Sequence, residues 1–372
     1  MRYSAGSLAA THLARRCACR LLSLATAFVL LTAFIPWQAH AQWKRIRALD
    51  FNGGAITDFC PVSGDAALVL AAMPDGFSIY SLDFVSGGVS KLVSQTYLEG
   101  VVQDGSDAED LRLFFDPASG LLLLAPRGSS APPVLLNVKS APYLKRYILG
   151  LPEGFIIRDA VFGSGQLYMC PSLDYAAGGA PGLLAFDESS EALTVIHPDR
   201  KLAAVSGLSF VGAGNPLLVM GTFSLSSTSD TSLAWMTPAG ILTPIPATNS
   251  VILTAASSGH IAWINKTEER AAPSDVQLAE YRLTVMSLSD SKDVRSLLLN
   301  SRPAWFAVSQ GGEEALVISS GDSSEPDLWL VDIASRARTR IRSGVLLAKM
   351  SPDGKACFVL PLESNQLELY AP

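Results

Sequence analysis

The sequence predicts an all-β protein built from seven copies of one four-stranded unit, and three features indicate this. Short β-type runs separated by Gly, Pro and Ser fill residues 42–372, without a clear helix-period segment. A hairpin of two apolar strands around a glycine-containing turn recurs seven times. The second strand of this hairpin is apolar on both faces, which indicates a sheet that is covered on both sides.

The turn glycines give the period of the repeat. They are 42–56 residues apart, and they are Gly64, Gly120, Gly165, Gly214, Gly259, Gly312 and Gly354. Glycine suits such turns because it adopts positive φ at no steric cost. Four antiparallel strands at this period are typical of a β-propeller blade. The sequence therefore predicts a seven-bladed β-propeller, with six or eight blades as alternatives.

The elements follow one another in the same order in every unit. The seven hairpins are, in turn, ITDFCPVSGDAALVLAA, LRLFFDPASGLLLLAP, IRDAVFGSGQLYMC, VSGLSFVGAGNPLLVMG, ILTAASSGHIAWI, AWFAVSQGGEEALVIS and LLAKMSPDGKACFVL. A loop, a third strand, a turn and a fourth strand come next, as FSIYSLDF-VSGG-VSKLV shows in the first unit. Runs such as LLLL and PLLVM fit inner strands that are sandwiched between neighbouring blades.

The last unit lacks its fourth strand. The chain ends with MSPDGKACFVLPLESNQLELYAP, which contains only three strands. The segment WKRIRALDF, before the first unit, reads as one strand without a partner in its own blade. We expect this N-terminal strand to become the outermost strand of blade seven, because closing the ring removes an exposed sheet edge.

The turn in that last unit carries a family resemblance. SPDGKACFVLP, followed by LELY, resembles the repeat of TolB-type, WD-repeat-like β-propellers, and DPASG in blade two is a related form. The resemblance implies the propeller fold over residues 42–372 and assigns no activity. Propellers of this kind are mostly interaction platforms, which is an analogy at the level of the fold.

Residues 1–41 have the features of a cleaved signal peptide. Four arginines precede an apolar run at residues 21–35, and AHA ends at Ala41 with the small residues of a cleavage site. The run is shorter than the roughly 20 residues that a membrane-spanning helix needs. We therefore expect a periplasmic or secreted protein, not membrane-spanning after cleavage, with a single domain at residues 42–372.

The net charge and the cysteine content limit which partners and which disulfides we expect. Removing residues 1–41 takes away four of 28 basic residues and no acid, which leaves 24 against 34 and a net charge of −10. This balance argues against nucleic acid as a partner.

The remaining cysteines are Cys60, Cys170 and Cys357. A disulfide between Cys60 and Cys357 would lock the closed ring, whereas buried free thiols are the alternative.

No motif in the sequence predicts a cofactor or a metal site. His197 and His260 lie 63 residues apart without a carboxylate pattern around them, which does not make a zinc site. The acidic segment DGSDAED at residues 104–110 does not have the spacing of a calcium loop and reads as a solvated loop. Polar residues at the starts of the first strands would be needed for an enzyme; the best pair is Arg158 and Asp159.

The loops differ between the two faces of the predicted ring. Turns between the first and second strands are short, whereas segments between the second and third strands are long in most blades. The longest predicted loop, NKTEERAAPSDVQLAE, covers residues 265–280. Loops on a rigid scaffold often carry binding residues. Candidate contacts on this face are Arg127, Tyr175, Glu268, Glu269, Arg270 and Asp275.

A second candidate surface is basic. In RARTRIR four arginines fall at every second residue, a spacing that puts side chains on one side of a strand. This strand would lie beside the N-terminal strand on the adjacent blade. The predicted basic edge consists of Lys44, Arg45, Arg47, Arg336, Arg338, Arg340 and Arg342. It would suit an anionic ligand, or it protects a sheet edge by charge.

The sequence thus predicts an exported, non-catalytic propeller that serves as a protein-interaction platform in the cell envelope and binds through the long loops. One alternative is a lactonase-like or lyase-like enzyme with a site at the central channel. Another is a sensor for a small ligand or glycan, which predicts an aromatic-lined pocket formed by Trp235, Trp263 or Trp305.

Overall fold

A computed structural model gives the structure of the protein. It describes residues 43–51, 54–74, 76–98, 108–127, 132–139, 143–171, 183–196, 204–210, 217–222, 231–246, 248–257, 259–270, 278–320 and 325–372. The predicted signal peptide, residues 1–41, lies outside these ranges. The helical residues described are two 3₁₀ turns, Gln95–Leu98 and Ala108–Asp110. Within the described ranges, no helix has the length and apolar character needed to cross a membrane.

The described strands form seven antiparallel sheets of four strands each. The N-terminal strand is β1 (Lys44–Asp50). Blade one contains β2 (Ala55–Pro61), β3 (Ala66–Met73), β4 (Gly76–Asp83) and β5 (Gly88–Ser94). Blade two contains β6 (Leu111–Asp116), β7 (Leu121–Pro126), β8 (Val134–Asn137) and β9 (Lys145–Tyr147). Blade three contains β10 (Ile157–Gly163), β11 (Gln166–Pro171), β12 (Leu183–Asp187) and β13 (Leu193–Ile196).

The remaining blades follow in the same order. Blade four contains β14 (Ala204–Phe210), β15 (Leu217–Thr222), β16 (Thr231–Met236) and β17 (Leu242–Pro244). Blade five contains β18 (Val251–Ser257), β19 (His260–Arg270), β20 (Leu278–Ser287) and β21 (Val294–Leu299). Blade six contains β22 (Pro303–Val308), β23 (Glu314–Ser320), β24 (Pro326–Asp332) and β25 (Arg338–Arg342). Blade seven contains β26 (Val345–Met350), β27 (Cys357–Pro361) and β28 (Gln366–Ala371).

The N-terminal strand completes blade seven, as the sequence predicts. The strand order in this sheet is β1-β28-β27-β26, and the antiparallel register runs from Lys44 opposite Ala371 to Asp50 opposite Gln366. The first strand of each blade contacts the first strands of both neighbouring blades, so the seven blades form a closed ring. The prediction of a seven-bladed β-propeller is confirmed, and the alternatives with six or eight blades are wrong.

The core is divided among the seams between blades. Each of the seven seams holds one cluster of buried apolar side chains. In β7, Leu122 and Leu124 pack towards blade one, whereas Leu123 and Ala125 pack towards blade three. Both faces of an inner strand are therefore buried, which explains why the LLLL run does not alternate with polar residues.

Not every turn glycine has the conformation that the repeat predicts. Positive φ occurs at Gly120, Gly165, Gly259, Gly312 and Gly354. Gly214 lies outside the described residues. Gly64 does not have positive φ, and its turn is held by a Ser63 hydroxyl that donates to the Asp65 carboxylate over 2.6 Å. The glycine at this position is therefore not required by backbone conformation.

The three described cysteines are free and buried. Cys60 packs in the seam between blades one and two, whereas Cys357 packs in the seam between blades six and seven. The two side chains thus face different seams, and the structure contains no disulfide between them. Blade seven is closed by strand pairing and packing.

Candidate interaction surfaces

The first strands around the central channel share a structural irregularity. Six of the seven described first strands carry a β-bulge near their start, and the strand without one is β6. The extra residue in blade one is Thr57, which precedes Asp58, and in blade three it is Arg158, which precedes Asp159. A bulge changes the direction of the following side chain. Each of these two bulges precedes a carboxylate that accepts a hydrogen bond from the next blade; Asp58 is buried and Asp159 is half-buried.

Asp58 joins three blades. The residue is 3% exposed, and its carboxylate accepts hydrogen bonds from the backbone N–H groups of Phe59 and Leu113, each over 2.8 Å. Lys349 of blade seven donates its ammonium to the same carboxylate over 2.7 Å. Blades seven, one and two are therefore tied together at a single buried charge.

Lys349 is held in the charged form by this contact. Burial acts to lower the pKa of Lys349, but the negative charges of the Cys60 thiolate form and of the Asp58 carboxylate raise it above its usual value. Burial also raises the pKa of Cys60 to about 12, although the nearby Lys349 charge opposes this. At neutral pH the group is thus an ion pair beside an unreactive thiol, because the thiolate is the nucleophilic form of cysteine.

A related contact joins blades three and four. The Asp159 carboxylate accepts hydrogen bonds from the backbone N–H groups of Ala160, over 3.0 Å, and Leu208, over 2.9 Å. Burial raises the pKa of Asp159 despite these two bonds and the charges of Arg112 and Arg158. Arg158 and Asp159 are the best candidate pair for an enzyme in the sequence. The aspartate of this pair accepts hydrogen bonds from backbone N–H groups of blades three and four and so joins these two blades.

The loops between second and third strands all leave from one face of the ring, because the strands of each blade are antiparallel. These segments contain seven, eleven, eight and seven residues in blades two to five, and two, five and four in blades one, six and seven. The turns between first and second strands contain two to six residues. The predicted asymmetry is therefore present in blades two to five; we call this surface the long-segment face.

The longest predicted loop is largely a hairpin. Strand β19 continues to Arg270 and β20 begins at Leu278, with Asn265 opposite Arg282 and Thr267 opposite Glu280. The prediction of a loop over residues 265–280 is wrong at both ends. The polar composition of residues 265–280 indicates solvent exposure. Ladder hydrogen bonds, however, come from the backbone and do not depend on an apolar face. An exposed hairpin and a loop therefore look alike in sequence.

The candidate contacts on the long-segment face are only partly described. Arg127 is exposed directly after β7, and its backbone N–H donates to the Asp110 carbonyl. Glu268, Glu269 and Arg270 lie at the end of β19, where the backbone is described and the side chains are not. Tyr175 and Asp275 lie outside the described residues, as do residues 104–107 of the acidic segment. A joint site formed by these residues stays a prediction.

The predicted basic edge is not a row on one side of a strand. Arg336 precedes β25 and has a φ of 62°. Arg338 and Arg340 lie opposite residues that face blade five, whereas a bulge shifts Arg342 opposite Leu328, which faces blade seven. The prediction that four alternate arginines share one side is wrong, because the bulge reverses the alternation after Arg340.

Two residues of the predicted edge meet at a buried acid. Glu368 of β28 is 1% exposed, and its carboxylate accepts hydrogen bonds from Arg45 and Arg342, each over 3.1 Å, and from the Tyr370 hydroxyl over 2.8 Å. Burial, followed by the bond to Glu368, raises the pKa of Tyr370. These two arginines are therefore paired with an internal carboxylate.

Other basic residues bridge seams to backbone carbonyls. Arg47 of blade seven donates to Phe84 over 2.6 Å, Arg146 of blade two donates to Glu188 over 3.2 Å, and Arg338 of blade six donates to Leu298. Lys145 of blade two reaches the Tyr97 carbonyl on the blade-one side over 2.8 Å. Lys44 is exposed at the start of β1. Outer basic residues in this protein thus fasten neighbouring blades, a role that their alternation in sequence did not reveal.

Clefts remain between the outer parts of some blades. One cleft lies between blades four and five and has a volume of about 980 Å³, compared with about 330 Å³ for a cleft between blades five and six. Trp235 and Trp263 line the larger cleft. Trp305 instead packs in the seam between blades six and seven. Two of the three tryptophans named for an aromatic-lined pocket therefore share one cleft.

No family model and no curated protein matches this sequence. Solved structures do match, among them the β-propeller domain of Cps50 (Swd1) from Myceliophteria thermophila, with a TM-score of 0.57, 11% identity and coverage of 89% of this chain and 100% of that chain. A chain of the mitotic checkpoint complex matches with a TM-score of 0.57, 14% identity and coverage of 91% and 94%. Oligogalacturonate lyase from Vibrio parahaemolyticus matches with a TM-score of 0.58, 8% identity and coverage of 91% and 95%. At these identities the similarity shows the fold, and it confirms the resemblance to WD-repeat-like propellers at that level.

Proposed function

We propose that this protein is exported and acts as a protein-interaction platform in the cell envelope, binding partners through its long-segment face. The observation that carries the proposal is the asymmetry of the ring: segments of seven to eleven residues leave one face in four consecutive blades. Seven packed seams hold the strands from which they leave, and rigid scaffolds that present loops are common binding architectures. The similarity to a propeller chain of the mitotic checkpoint complex, an assembly of proteins, supports the same class of function.

The proposed export rests on residues 1–41 and on where the fold begins. The closing strand β1 starts at Lys44, three residues after the proposed cleavage site at Ala41. Cleavage there leaves every described strand of the propeller in the mature chain. The intact mass of protein recovered from the producing cells, after separation of cytoplasm and envelope, tests this: we expect a chain that begins at Gln42 outside the cytoplasm. A full-length chain confined to the cytoplasm would contradict export.

Affinity capture tests the binding face. Mature protein is immobilised and exposed to envelope extract, beside a variant with Glu268→Lys, Glu269→Lys and Arg270→Glu. A matched control carries Glu313→Lys and Lys355→Glu, at exposed positions in turns on the opposite face. We expect partners to be lost by the first variant and retained by the control. Equal recovery by both variants, or loss in the control alone, would reject the long-segment face as the binding surface.

A further inference from the structure

The seam between blades four and five is the least filled. Its cluster has seven buried apolar residues among those described, whereas the other six clusters have nine to fourteen. The cleft of about 980 Å³ lies at the outer part of this seam. This volume is at the upper end of the range of about 300–1,000 Å³ that is typical of small-molecule sites.

The two faces of blade five differ in chemistry. Towards blade six the side chains of β19, β20 and β21 are apolar, with Ile264, Leu283 and Leu297 in the buried cluster. Towards blade four the same strands line the cleft with the polar side chains of Asn265, Thr267, Arg282, Thr284 and Ser296, beside the apolar side chains of Trp263, Met286 and Val294. A seam face that only packs against its neighbour should be apolar on both sides, so this polar face indicates a role other than packing.

Blade four leaves the cleft open because its outer strand is short. Strand β17 has three residues, Leu242–Pro244, opposite the ten-residue β20 and eleven-residue β19 of blade five. Trp235 and Thr243 pair across β16 and β17 and line the blade-four wall. Trp235 is half-buried, and Thr243 is exposed. An indole face and hydroxyl groups are therefore accessible from solvent.

Trp263 adds a buried donor to this wall. The residue lines the cleft and is 3% exposed. Its indole N–H is buried without a hydrogen-bond partner among the described residues. A buried donor without an acceptor destabilises the folded state. An oxygen of a bound ligand would satisfy this group.

Arg282 distinguishes this cleft from other seams. Arg146 and Arg338 line the smaller clefts at two other seams, and each is bonded to a carbonyl of the neighbouring blade. Arg282 is exposed in the wall of the large cleft and makes no hydrogen bond or ion pair with another described residue. Glu280, two residues earlier on the same side of β20, does not pair with it. Its guanidinium is thus available for an anionic group.

We propose that this cleft binds a short oligosaccharide that carries a carboxylate. The indole of Trp235 would pack against the apolar C–H face of a sugar ring, as amphipathic aromatic side chains do at binding sites. The hydroxyl and amide groups of Thr243, Asn265 and Thr284 match sugar hydroxyls as donors and acceptors. Arg282 would bind the carboxylate with its two-pronged guanidinium. The cleft is lined by two cationic residues, Arg282 and Lys266, among neutral polar groups, and this low charge density favours a sugar acid over a densely charged anion.

Calorimetric titration of the mature protein with three probes tests the ligand class. The probes are trigalacturonate, its methyl ester and citrate, so that the sugar and the charge are varied separately. We expect trigalacturonate to bind and to change the tryptophan fluorescence. The ester should bind about 10–100-fold more weakly, because the charge-assisted hydrogen bond to Arg282 is lost. Citrate should bind no better than the ester. Absence of trigalacturonate binding, or citrate binding as tightly as trigalacturonate, would overturn the proposal.

Three variants assign the binding to the cleft. Arg282→Gln should weaken trigalacturonate binding about 10–100-fold and leave binding of the ester unchanged. Ser296→Trp, at an exposed position of β21 in the cleft wall, should abolish binding of both by filling the space. Arg295→Gln, on the neighbouring position of β21 and paired with Asp293, is the matched control and should bind like the parent. Thermal unfolding shows that each variant is folded. Unchanged affinity in both Arg282→Gln and Ser296→Trp would reject the site.

Discussion

Trp43 donates its indole N–H to the Glu314 carboxylate over 2.8 Å, which joins residues that are 271 positions apart. Trp43 is buried in the seam between blades six and seven, directly before the closing strand β1. The first residue that the structure describes is therefore anchored on blade six, while the strand after it pairs within blade seven. Ring closure thus depends on side-chain packing as well as on the strand ladder.

Two substitutions of Trp43 should destabilise the closed ring to different extents. We expect Trp43→Ala to lower the free energy of unfolding by about 3–5 kcal/mol, the range for removal of a large buried aromatic side chain. Trp43→Phe should cost about 1–2 kcal/mol, because it keeps most of the packing and removes the bond to Glu314. Urea unfolding measures both. Lys44→Ala, at the exposed neighbouring position, is the control; an equal effect of all three substitutions would contradict the anchor.

Glu368 should contribute far more to stability than the most exposed of its partners. Glu368→Ala removes a buried carboxylate and leaves Arg342 and Tyr370 without their acceptor, so we expect a loss of about 3–5 kcal/mol. Arg45→Ala should cost less than about 1 kcal/mol, because the Arg45 side chain is 56% exposed and solvent screens its charge. Denaturant unfolding at low and high salt measures both. A larger loss from Arg45→Ala than from Glu368→Ala would refute this arrangement.

The contact between Lys349 and Asp58 should give stability that is lost at alkaline pH. The pKa of Lys349 is raised in the folded protein, so its contribution is complete below the usual lysine pKa of about 10.4 and disappears as pH rises through the folded value. We expect Lys349→Met to be less stable than the parent by about 3 kcal/mol or more at pH 8. The difference should shrink at pH 11.5.

The measurement is the difference in unfolding free energy between parent and Lys349→Met at the two pH values. Lys355→Met, at an exposed position in the following turn, serves as the control and should differ little from the parent at either pH. A difference for Lys349→Met that does not change between pH 8 and pH 11.5 would show that the ion pair does not stabilise the fold.

Two turn glycines of the repeat should respond oppositely to alanine. Gly165 has a φ of +75°, and an added Cβ would meet nothing within 4 Å, so Gly165→Ala carries only the conformational cost of about 1–2 kcal/mol. Gly64 has no positive φ, and its nearest neighbour would be an Asp353 oxygen at 3.6 Å. Gly64→Ala should therefore be neutral or stabilising by about 0.4–1 kcal/mol. Thermal unfolding measures the stability of both variants, and equal losses of stability at the two positions would contradict the assigned turn conformations.

Features that repeat along the chain were predictable. The 42–56-residue period and the doubly apolar second strands determine how many blades form and why they stack. The three-strand C-terminal unit and the solitary strand at residues 44–50 determine how the ring closes. Each inference rests on local composition and on the need to cover sheet faces and edges, which a single sequence contains.

The surfaces depended on contacts that no local pattern encodes. Arg338 and Arg342 have the same spacing from Arg340, yet a bulge turns them towards different seams. The polar residues 265–270 look like a loop but continue β19, because the ladder hydrogen bonds of a strand come from its backbone and do not require apolar side chains. Likewise, nothing near Arg282 in the chain shows that its seam is underfilled; that follows from the short β17 of another blade.

The sequence by itself determined the architecture, because strand period, turn glycines and burial on both faces are properties of consecutive residues. Only the tertiary structure decided which charges are engaged and which space stays open. Glu368 binds arginines of two blades, and the cleft beside Trp235 and Arg282 arises from strands of unequal length on adjacent blades. Such pairings join residues that are distant in the chain, so they exist only once the ring is closed.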